Sequence, residues 1–177
     1  MRICFLMACV PMIFASGCGG PSDGSAAVTG TIAGKSFASA NAVANTSGSG
    51  QSVSALVVIS DVGNLCGNID ADNDTTNAQA LTFDLFEADM SGNTVAPAHS
   101  GDYVIATDAT MTGQLAGANY VAVGASTADK TESVATAGKV TLTGVASGHY
   151  VGSFDLTFGT DHVTGTFDTA PCAALKL

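Results

Sequence analysis

From residue 28 to the C-terminus, short runs rich in β-branched residues alternate with clusters of Gly, Ser, Asn and Asp. Such alternation is typical of many short strands joined by tight turns, and no helical period is sustained. The sequence therefore predicts an all-β domain, a single antiparallel β-sandwich, with a small β-barrel as the alternative. Brief helical turns are compatible with residues 62–65 and 111–116. The predicted strands are 28–33, 36–44, 53–60, 80–87, 102–106, 119–126, 139–144, 150–158 and 163–169.

The composition excludes several classes of protein. The 177 residues include 15 acidic and 5 basic side chains, which give a net charge of -10, and only 11% of residues are charged. A nucleic-acid-binding domain needs a basic stripe, and a coiled coil needs abundant Glu, Lys and Leu. Hydrophobic residues make up 46% of the chain, too many for a disordered polypeptide. The chain is therefore expected to form a compact domain that does not bind nucleic acid.

The C-terminal third predicts a three-stranded meander with one apolar face. Pairing Phe158 with Val163 across a four-residue loop places Phe154 opposite Phe167, on the same side of the sheet. We interpret the threonines of the other face as residues that suit a solvated strand, with a flat polar binding surface as the alternative. These outward threonines are Thr141, Thr143, Thr157, Thr164 and Thr166.

The N-terminus predicts export from the cytoplasm. Residues 3–14 are almost wholly apolar and follow Arg2. This run is shorter than the roughly 20 residues that cross a bilayer as a helix, so it is interpreted as the core of a secretory signal. It ends in Ala15-Ser16-Gly17-Cys18, which resembles the lipobox of bacterial lipoproteins. The resemblance implies that Cys18 becomes the first mature residue and carries the lipid, whereas ordinary cleavage near Gly17 is the alternative.

The lipobox resemblance also implies a location and a domain organisation. Acyl chains bury many methylene groups at about 0.8 kcal/mol each, so several chains anchor a protein firmly to a membrane. Gly19 replaces the Asp that retains such proteins at the inner membrane of enteric bacteria, which favours the outer membrane. The expected organisation is a lipoprotein signal peptide (1–17), a lipid anchor with a flexible tether (18–27) and the β domain (28–177).

The cysteine count predicts one disulfide. Cys4 and Cys9 lie in the predicted signal and Cys18 is assigned to the lipid, which leaves Cys66 and Cys172. An even pair in an oxidising compartment is expected to be bonded. Two free buried thiols and a pair of metal ligands are the alternatives.

A second resemblance lies in the C-terminal motifs. Gly152-Ser153-Phe154-Asp155 and Gly165-Thr166-Phe167-Asp168, followed by Cys172, are similar to the ending of bacterial lipoproteins that have no assigned activity. This resemblance implies a β-sandwich and supplies no activity. Its glycines would then allow close strand approach and its phenylalanines would belong to the core.

One acidic segment is a candidate metal site. Asp70, Asp72 and Asp74 alternate along the chain, a spacing that can converge oxygen ligands on Ca²⁺. The segment is not an EF-hand, because Thr75 and Leu81 occupy the positions that require Gly and Glu. We interpret it as a solvated acidic loop, with a Ca²⁺ site formed by the three aspartates as the alternative, and we expect no other cofactor.

The histidines and tyrosines suggest structural roles. His99, His149 and His162 lie beside predicted turns without metal-ligand spacing, and surface positions are expected for all three. The chain has no Trp, so any sugar-stacking platform would have to use its tyrosines. We instead expect core or sheet-edge positions for Tyr103, Tyr120 and Tyr150.

These features favour a non-catalytic, membrane-anchored envelope lipoprotein with a structural or interaction role. The first alternative is a ligand-binding module for Ca²⁺, a glycan or a small apolar molecule. A hydrolase with an unrecognised site is the weaker alternative. The expected partner is the membrane, contacted through the N-terminal lipid, and the sequence does not identify a protein or glycan partner.

Overall fold

The computed structural model describes residues 23–176 except 38, 39, 50, 51, 74, 98 and 147. The described chain is all-β, as predicted, with one short helix. The helix is α1 (Leu65–Asp70). The strands are β1 (Gly24–Ile32), β2 (Lys35–Ser36), β3 (Ala40–Ser49), β4 (Ser52–Ser60), β5 (Ala78–Ala88), β6 (Thr94–Val95), β7 (Gly101–Ile105), β8 (Gly113–Val123), β9 (Lys130–Val134), β10 (Ala137–Ala146), β11 (His149–Phe158), β12 (Asp161–Asp168) and β13 (Ala170–Pro171).

The strands form one mixed sheet that closes on itself. Strand β1 pairs with β12 along one edge and with β3 along the other. The circuit runs β1–β3–β4–β5–β8–β7–β10–β11–β12 and returns to β1, with β7 and β8 the parallel neighbours within it. Strands β2, β6, β9 and β13 attach to this circuit. The fold is therefore barrel-like, with one face of the sheet enclosed.

The enclosed face is packed with aromatic rings set against alanines. Alternate residues of each strand point inward, as the two-residue period of a strand requires; in β5 these are Leu81, Phe83 and Leu85, all fully buried. Phe83 contacts Phe154 and Phe167 at ring-centroid distances of 5.2 and 5.7 Å. Small side chains make room for these rings. The buried alanines include Ala42, Ala44, Ala55, Ala116, Ala118 and Ala122.

The predicted C-terminal hairpin forms, but the predicted register is wrong by two residues. Phe158 pairs with Asp161, and Phe154 lies opposite Gly165. The loop contains only Gly159 and Thr160, because Gly159 adopts a φ of 63° and so permits a tight two-residue turn. A shift of two residues preserves the side of every side chain, so the assignment of inward and outward residues is correct.

The two C-terminal glycine motifs allow aromatic rings to lie directly on a strand. A Cβ atom at Gly165 would stand 2.4 Å from Cζ of Phe154, and one at Gly152 would stand 3.0 Å from Cζ of Phe167. Each phenylalanine therefore covers the glycine of its neighbouring strand. This arrangement matches the close approach that was predicted for these glycines.

The first strand begins earlier than predicted. Strand β1 starts at Gly24 rather than at residue 28, and Ala26 and Ala27 already pair with β12. Gly24 fits between β3 and β12, where a Cβ atom would stand 2.7 Å from the carbonyl oxygen of Ala42. The small size of residues 24–27 is typical of a flexible spacer in a sequence. In the structure, the same small size lets these residues fit as a strand between β3 and β12.

The helical segments also differ from expectation. Helix α1 covers 65–70 rather than 62–65. Residues 113–116, within the second stretch considered, belong to β8. In β8 the inward Ala116 faces the enclosed core, and the requirement for packing there overrides the helical preference of alanine.

A second, smaller core lies on the outer face of β3 and β4. Helix α1 and the C-terminal segment cover this face, and their apolar side chains pack on outward residues of the two strands. Val43 and Leu56 are the strand residues, and Leu65 and Leu175 cover them. Strand β4 is consequently buried on both faces, which explains its nearly continuous apolar sequence.

Candidate functional site

Two of the predicted site residues, Cys18 and Asp74, lie outside the described residues. Asp70 ends α1 and Asp72 follows it, and both side chains are exposed. Among the described residues, no group of three or more His, Cys, Asp or Glu side chains is placed to hold a metal ion. No helix in the described part of the chain is long and apolar enough to cross a membrane.

Cys66 and Cys172 lie at disulfide distance. Their sulfur atoms are 2.04 Å apart and their Cα atoms 5.6 Å apart. The bond joins α1 to the C-terminal segment across 106 positions of sequence. Cys172 is buried and its amide donates to the carbonyl oxygen of Ala44 in β3. The disulfide therefore fastens the two segments that cover the outer core.

All three tyrosines belong to the enclosed core, in agreement with their predicted structural role. Tyr103 and Tyr120 are fully buried and Tyr150 is 2% exposed. Each hydroxyl has a polar partner; the Tyr120 hydroxyl donates to Gln79 Oε1 at 2.8 Å, and that of Tyr150 lies 3.2 Å from Thr46 Oγ1. None of these rings is available as a sugar-stacking platform.

Tyr103 belongs to a polar network that we call the Glu87 cluster. It consists of Glu87, His99, Tyr103 and Gln114. The Tyr103 hydroxyl lies 2.9 Å from Glu87 Oε1 and 3.0 Å from the carbonyl oxygen of His99, both acceptors for its proton. Gln114 Nε2 donates to the same hydroxyl at 3.2 Å. His99 Nδ1 stands 3.2 Å from Glu87 Oε1. A carboxylate thus connects a buried phenol to a histidine whose side chain is 72% exposed.

The electrostatics of the cluster keep Tyr103 protonated. Burial, reinforced by the neighbouring Glu87 carboxylate, raises the pKa of Tyr103 well above its ordinary value of 10.0. Burial and the Asp61 carboxylate likewise raise the pKa of Tyr120. Tyr103 therefore acts as a hydrogen-bond donor to Glu87 and fixes the position of that carboxylate.

A cleft of about 340 Å³ adjoins the Glu87 cluster. It is lined by Glu87, Asp89, Asn93, Val95 and Gln114, together with Ala88 and Gly113. The carboxylates of Glu87 and Asp89 offer acceptors to a small ligand with donor groups, although Asp89 also accepts from the Ser91 and Asn93 amides. The neighbouring Ser100 hydroxyl donates to the carbonyl oxygen of Thr143 at 3.4 Å, so the geometry does not present it to His99 as a nucleophile.

The other two histidines also lie beside carboxylates. His149 Nε2 stands 2.7 Å from Asp168 Oδ1, and His162 Nε2 stands 2.8 Å from Asp155 Oδ1. Both pairs lie on the outer surface of β11 and β12, with side chains 42% to 62% exposed. Solvated pairs of this kind contribute little to stability. The predicted surface positions of the histidines are correct.

The threonine-rich face is on the outside of the sheet, as predicted. Thr29 of β1 lies opposite Thr164, and Thr166 lies opposite Ser153. A shallow depression of about 520 Å³ crosses this face beside Thr143 and Asp168. The depression is open, its lining includes Ala26, Ala27 and Val151, and the threonines of this face suit the pleated, solvated strands that carry them.

Asp23, which directly precedes β1, is hydrogen-bonded to α1. Asp23 Oδ2 accepts the Leu65 amide at 2.5 Å, and Oδ1 accepts the Cys66 amide at 3.1 Å. These are amides of the first turn of the helix, which lack partners within it. Beside them, a groove of about 510 Å³ separates α1 from the C-terminal segment. This exit groove is lined by Asn64, Cys66, Gly67, Asp70, Pro171, Ala173 and Ala174.

Comparison of the chain with protein-family models, with curated proteins and with solved structures finds no significant match. The candidate sites therefore rest on their own geometry.

Two of these features have no local signal in the sequence that predicts their contacts. Glu87 and His99 are 12 positions apart, and Asp23 and Leu65 are 42 apart, so neither pair has a local spacing that signals contact. The alternation of β5 places Glu87 on the enclosed side at one end of the strand, as it places Gln79 at the other end, with the apolar Leu81, Phe83 and Leu85 between them. A carboxylate in that position was the available signal for the Glu87 cluster.

Proposed function

We propose that the protein is a non-catalytic lipoprotein of the bacterial cell envelope, anchored through Cys18, whose β domain serves a structural or interaction role. The observation that carries the proposal is the pair Cys66 and Cys172 at disulfide distance. Disulfides persist in oxidising compartments, and the apolar segment ending in Ala15-Ser16-Gly17-Cys18 is of the kind that directs a chain there. The packed interior and the closed sheet suit a stable scaffold.

The anchor is tested by cysteine replacement. The protein is expressed in a bacterium fed with labelled palmitate, and the detergent phase is analysed after phase separation. We expect label and detergent partition for the wild type and for Cys9→Ser, whose cysteine is removed with the signal. Both should be lost for Cys18→Ser. A Cys18→Ser protein that still enters the detergent phase would contradict the lipid assignment.

The Glu87 cluster favours a second candidate, a ligand-binding module. Its cleft contains two carboxylates, Glu87 and Asp89, beside the amides of Asn93 and Gln114. Such a set suits a glycan that carries amino groups, because an ammonium group can donate to the carboxylates. Glucosamine oligomers should then raise the melting temperature of the wild type and have no effect on Glu87→Gln. Equal responses of the two proteins would exclude this cleft as the binding site.

A further inference from the structure

We propose that the exit groove rests on the headgroup layer of the membrane that holds the anchor, so that the domain has a fixed orientation on the bilayer. This inference rests on the proposed lipid attachment at Cys18. Beyond the lipid attachment, it specifies the surface of the domain that contacts the membrane.

The connection between the lipidated position and the folded domain is short. Gly24 is already part of β1, and Asp23 is bound to the first turn of α1. Five residue steps therefore separate the lipidated position from Asp23, and five residues reach at most about 18 Å when fully extended. Residues 23–27 of the predicted ten-residue tether are part of the folded domain, so only residues 18–22 remain as the connection, which we call the leash.

The leash is short compared with the domain. A folded chain of about 150 residues has a radius of gyration near 15 Å, which corresponds to a diameter of about 40 Å. Asp23 therefore cannot be more than about half a domain diameter from the bilayer surface. The side of the domain opposite Asp23 cannot rest on the membrane.

The exit groove lies beside this fixed point. Cys66 lines the groove, and its amide donates to Asp23. Pro171, Ala173 and Ala174 supply an apolar wall, whereas Asp70 places a carboxylate at the opposite side. A carboxylate opposes deep insertion and suits the ammonium groups of phosphatidylethanolamine, so contact is expected at headgroup depth.

A distant reference point is provided by the hairpin turn at Gly159 and Thr160. Strand β1 runs about 26 Å from Gly24 to Ile32. At that far end, Gly30 pairs with Val163, and the Ala33 amide donates to Asp161 Oδ2 at 2.7 Å. Thr160 is exposed and directly precedes Asp161. It therefore lies a full strand length from the exit groove.

The absence of Trp from the sequence allows a single-tryptophan test. Full-length lipidated A173W and T160W proteins are placed in phosphatidylethanolamine–phosphatidylglycerol vesicles with and without a nitroxide headgroup lipid. We expect A173W to lose most of its emission and T160W to retain it. P171W provides a second reporter in the groove if A173W does not fold, as judged by circular dichroism, because Pro171 is exposed and its replacement keeps the Asp70 carboxylate.

Flotation with the vesicles separates the two proposals. Floating proteins with equal quenching, or with stronger quenching of T160W, would overturn the orientation and leave the anchor intact. Proteins that do not float would overturn the anchor and the orientation with it.

A longer leash tests whether the short connection is what holds the exit groove at the membrane. A Gly/Ser insertion of about 20 residues between Cys18 and Asp23 gives a flexible connection with an average span of about 28 Å. We expect this insertion to remove the difference between A173W and T160W. Quenching of A173W that persists unchanged would overturn the leash as the element that holds the groove to the membrane.

Discussion

Asp23 forms the N-terminal cap of a helix that begins 42 residues later, with its Oδ2 atom 2.5 Å from the amide of Leu65. The Cys66 amide binds the other oxygen of the same carboxylate. A single side chain thus joins the start of β1 to the segment that carries the disulfide. The capping residue is usually part of the helix sequence, whereas here the tertiary fold supplies it.

Removal of this cap should destabilise the domain. Asp23→Ala leaves two helix amides without their acceptor, and we expect a loss of about 1 to 2 kcal/mol in the free energy of unfolding. Urea denaturation measures the change. Glu132→Ala is the control, because it removes an acid from an exposed ion pair on β9 and should change the stability by less than about 0.5 kcal/mol. Equal midpoints for Asp23→Ala and wild type would contradict the capping role.

Loss of the disulfide should have a larger effect. The bond closes a loop of 106 residues, for which the chain-entropy account gives about 4 to 5 kcal/mol as an upper figure. We expect the Cys66→Ser, Cys172→Ser double variant to unfold at much lower guanidinium concentration and to lose its C-terminal segment to protease first. Thiol labelling of denatured wild type before and after reduction provides the control. Identical labelling in the two samples would show that the cysteines are not bonded.

The glycine beneath Phe154 should not accept a side chain. Gly165→Ala places a methyl group 2.4 Å from the ring and 2.3 Å from the carbonyl oxygen of Ala27, and we expect a loss of about 2 to 4 kcal/mol. Gly117→Ala is a matched control, since its Cβ atom would meet only Asp84 Cβ at 3.7 Å. Thermal unfolding of the two variants compares them. Similar melting temperatures would show that the ring does not lie on the strand at Gly165.

Tyr103 should make the domain sensitive to alkali. Its pKa is raised in the folded state, by burial and by Glu87, so the folded protein holds this proton more tightly than the unfolded chain. The resulting stability is complete below the unfolded pKa of about 10 and declines as the pH rises above it. We expect Tyr103→Phe to be less stable than wild type at neutral pH, with a weaker decline in stability above pH 10. Parallel stability curves for the two proteins would exclude this role.

The strands could be predicted because their local signals agree with the fold. Each of the nine predicted runs overlaps an observed strand, since the alternation of apolar residues matches the enclosed face in segments such as β5 and β11. Two bounds are wrong, because the run 36–44 falls on both β2 and β3 and the run 119–126 covers only the second half of β8. The register of the last hairpin was harder to predict. Both Val163 and Gly165 face inward, so the apolar pattern alone accepts two registers and only the turn at Gly159 decides between them.

The features that were missed depend on contacts between distant parts of the chain. The closure of the sheet requires β1 to pair with both β3 and β12, and the small side chains of residues 24–27 carry no strand preference that reveals it. The Glu87 cluster similarly combines residues from β5, β7, β8 and the segment before β7. Patterns within a short window contain no information about such pairings.

The closed circuit of strands limits how copies of the protein can pair with one another through their sheets. Each of its nine strands already has a neighbour on both sides, so its backbone groups are largely occupied. Molecules confined to a two-dimensional layer meet often, and exposed strand edges would then join them into aggregates. With the proposed anchor, the closed circuit would restrict edge-to-edge pairing of neighbouring copies to the short strands attached outside it, such as β2 and β9.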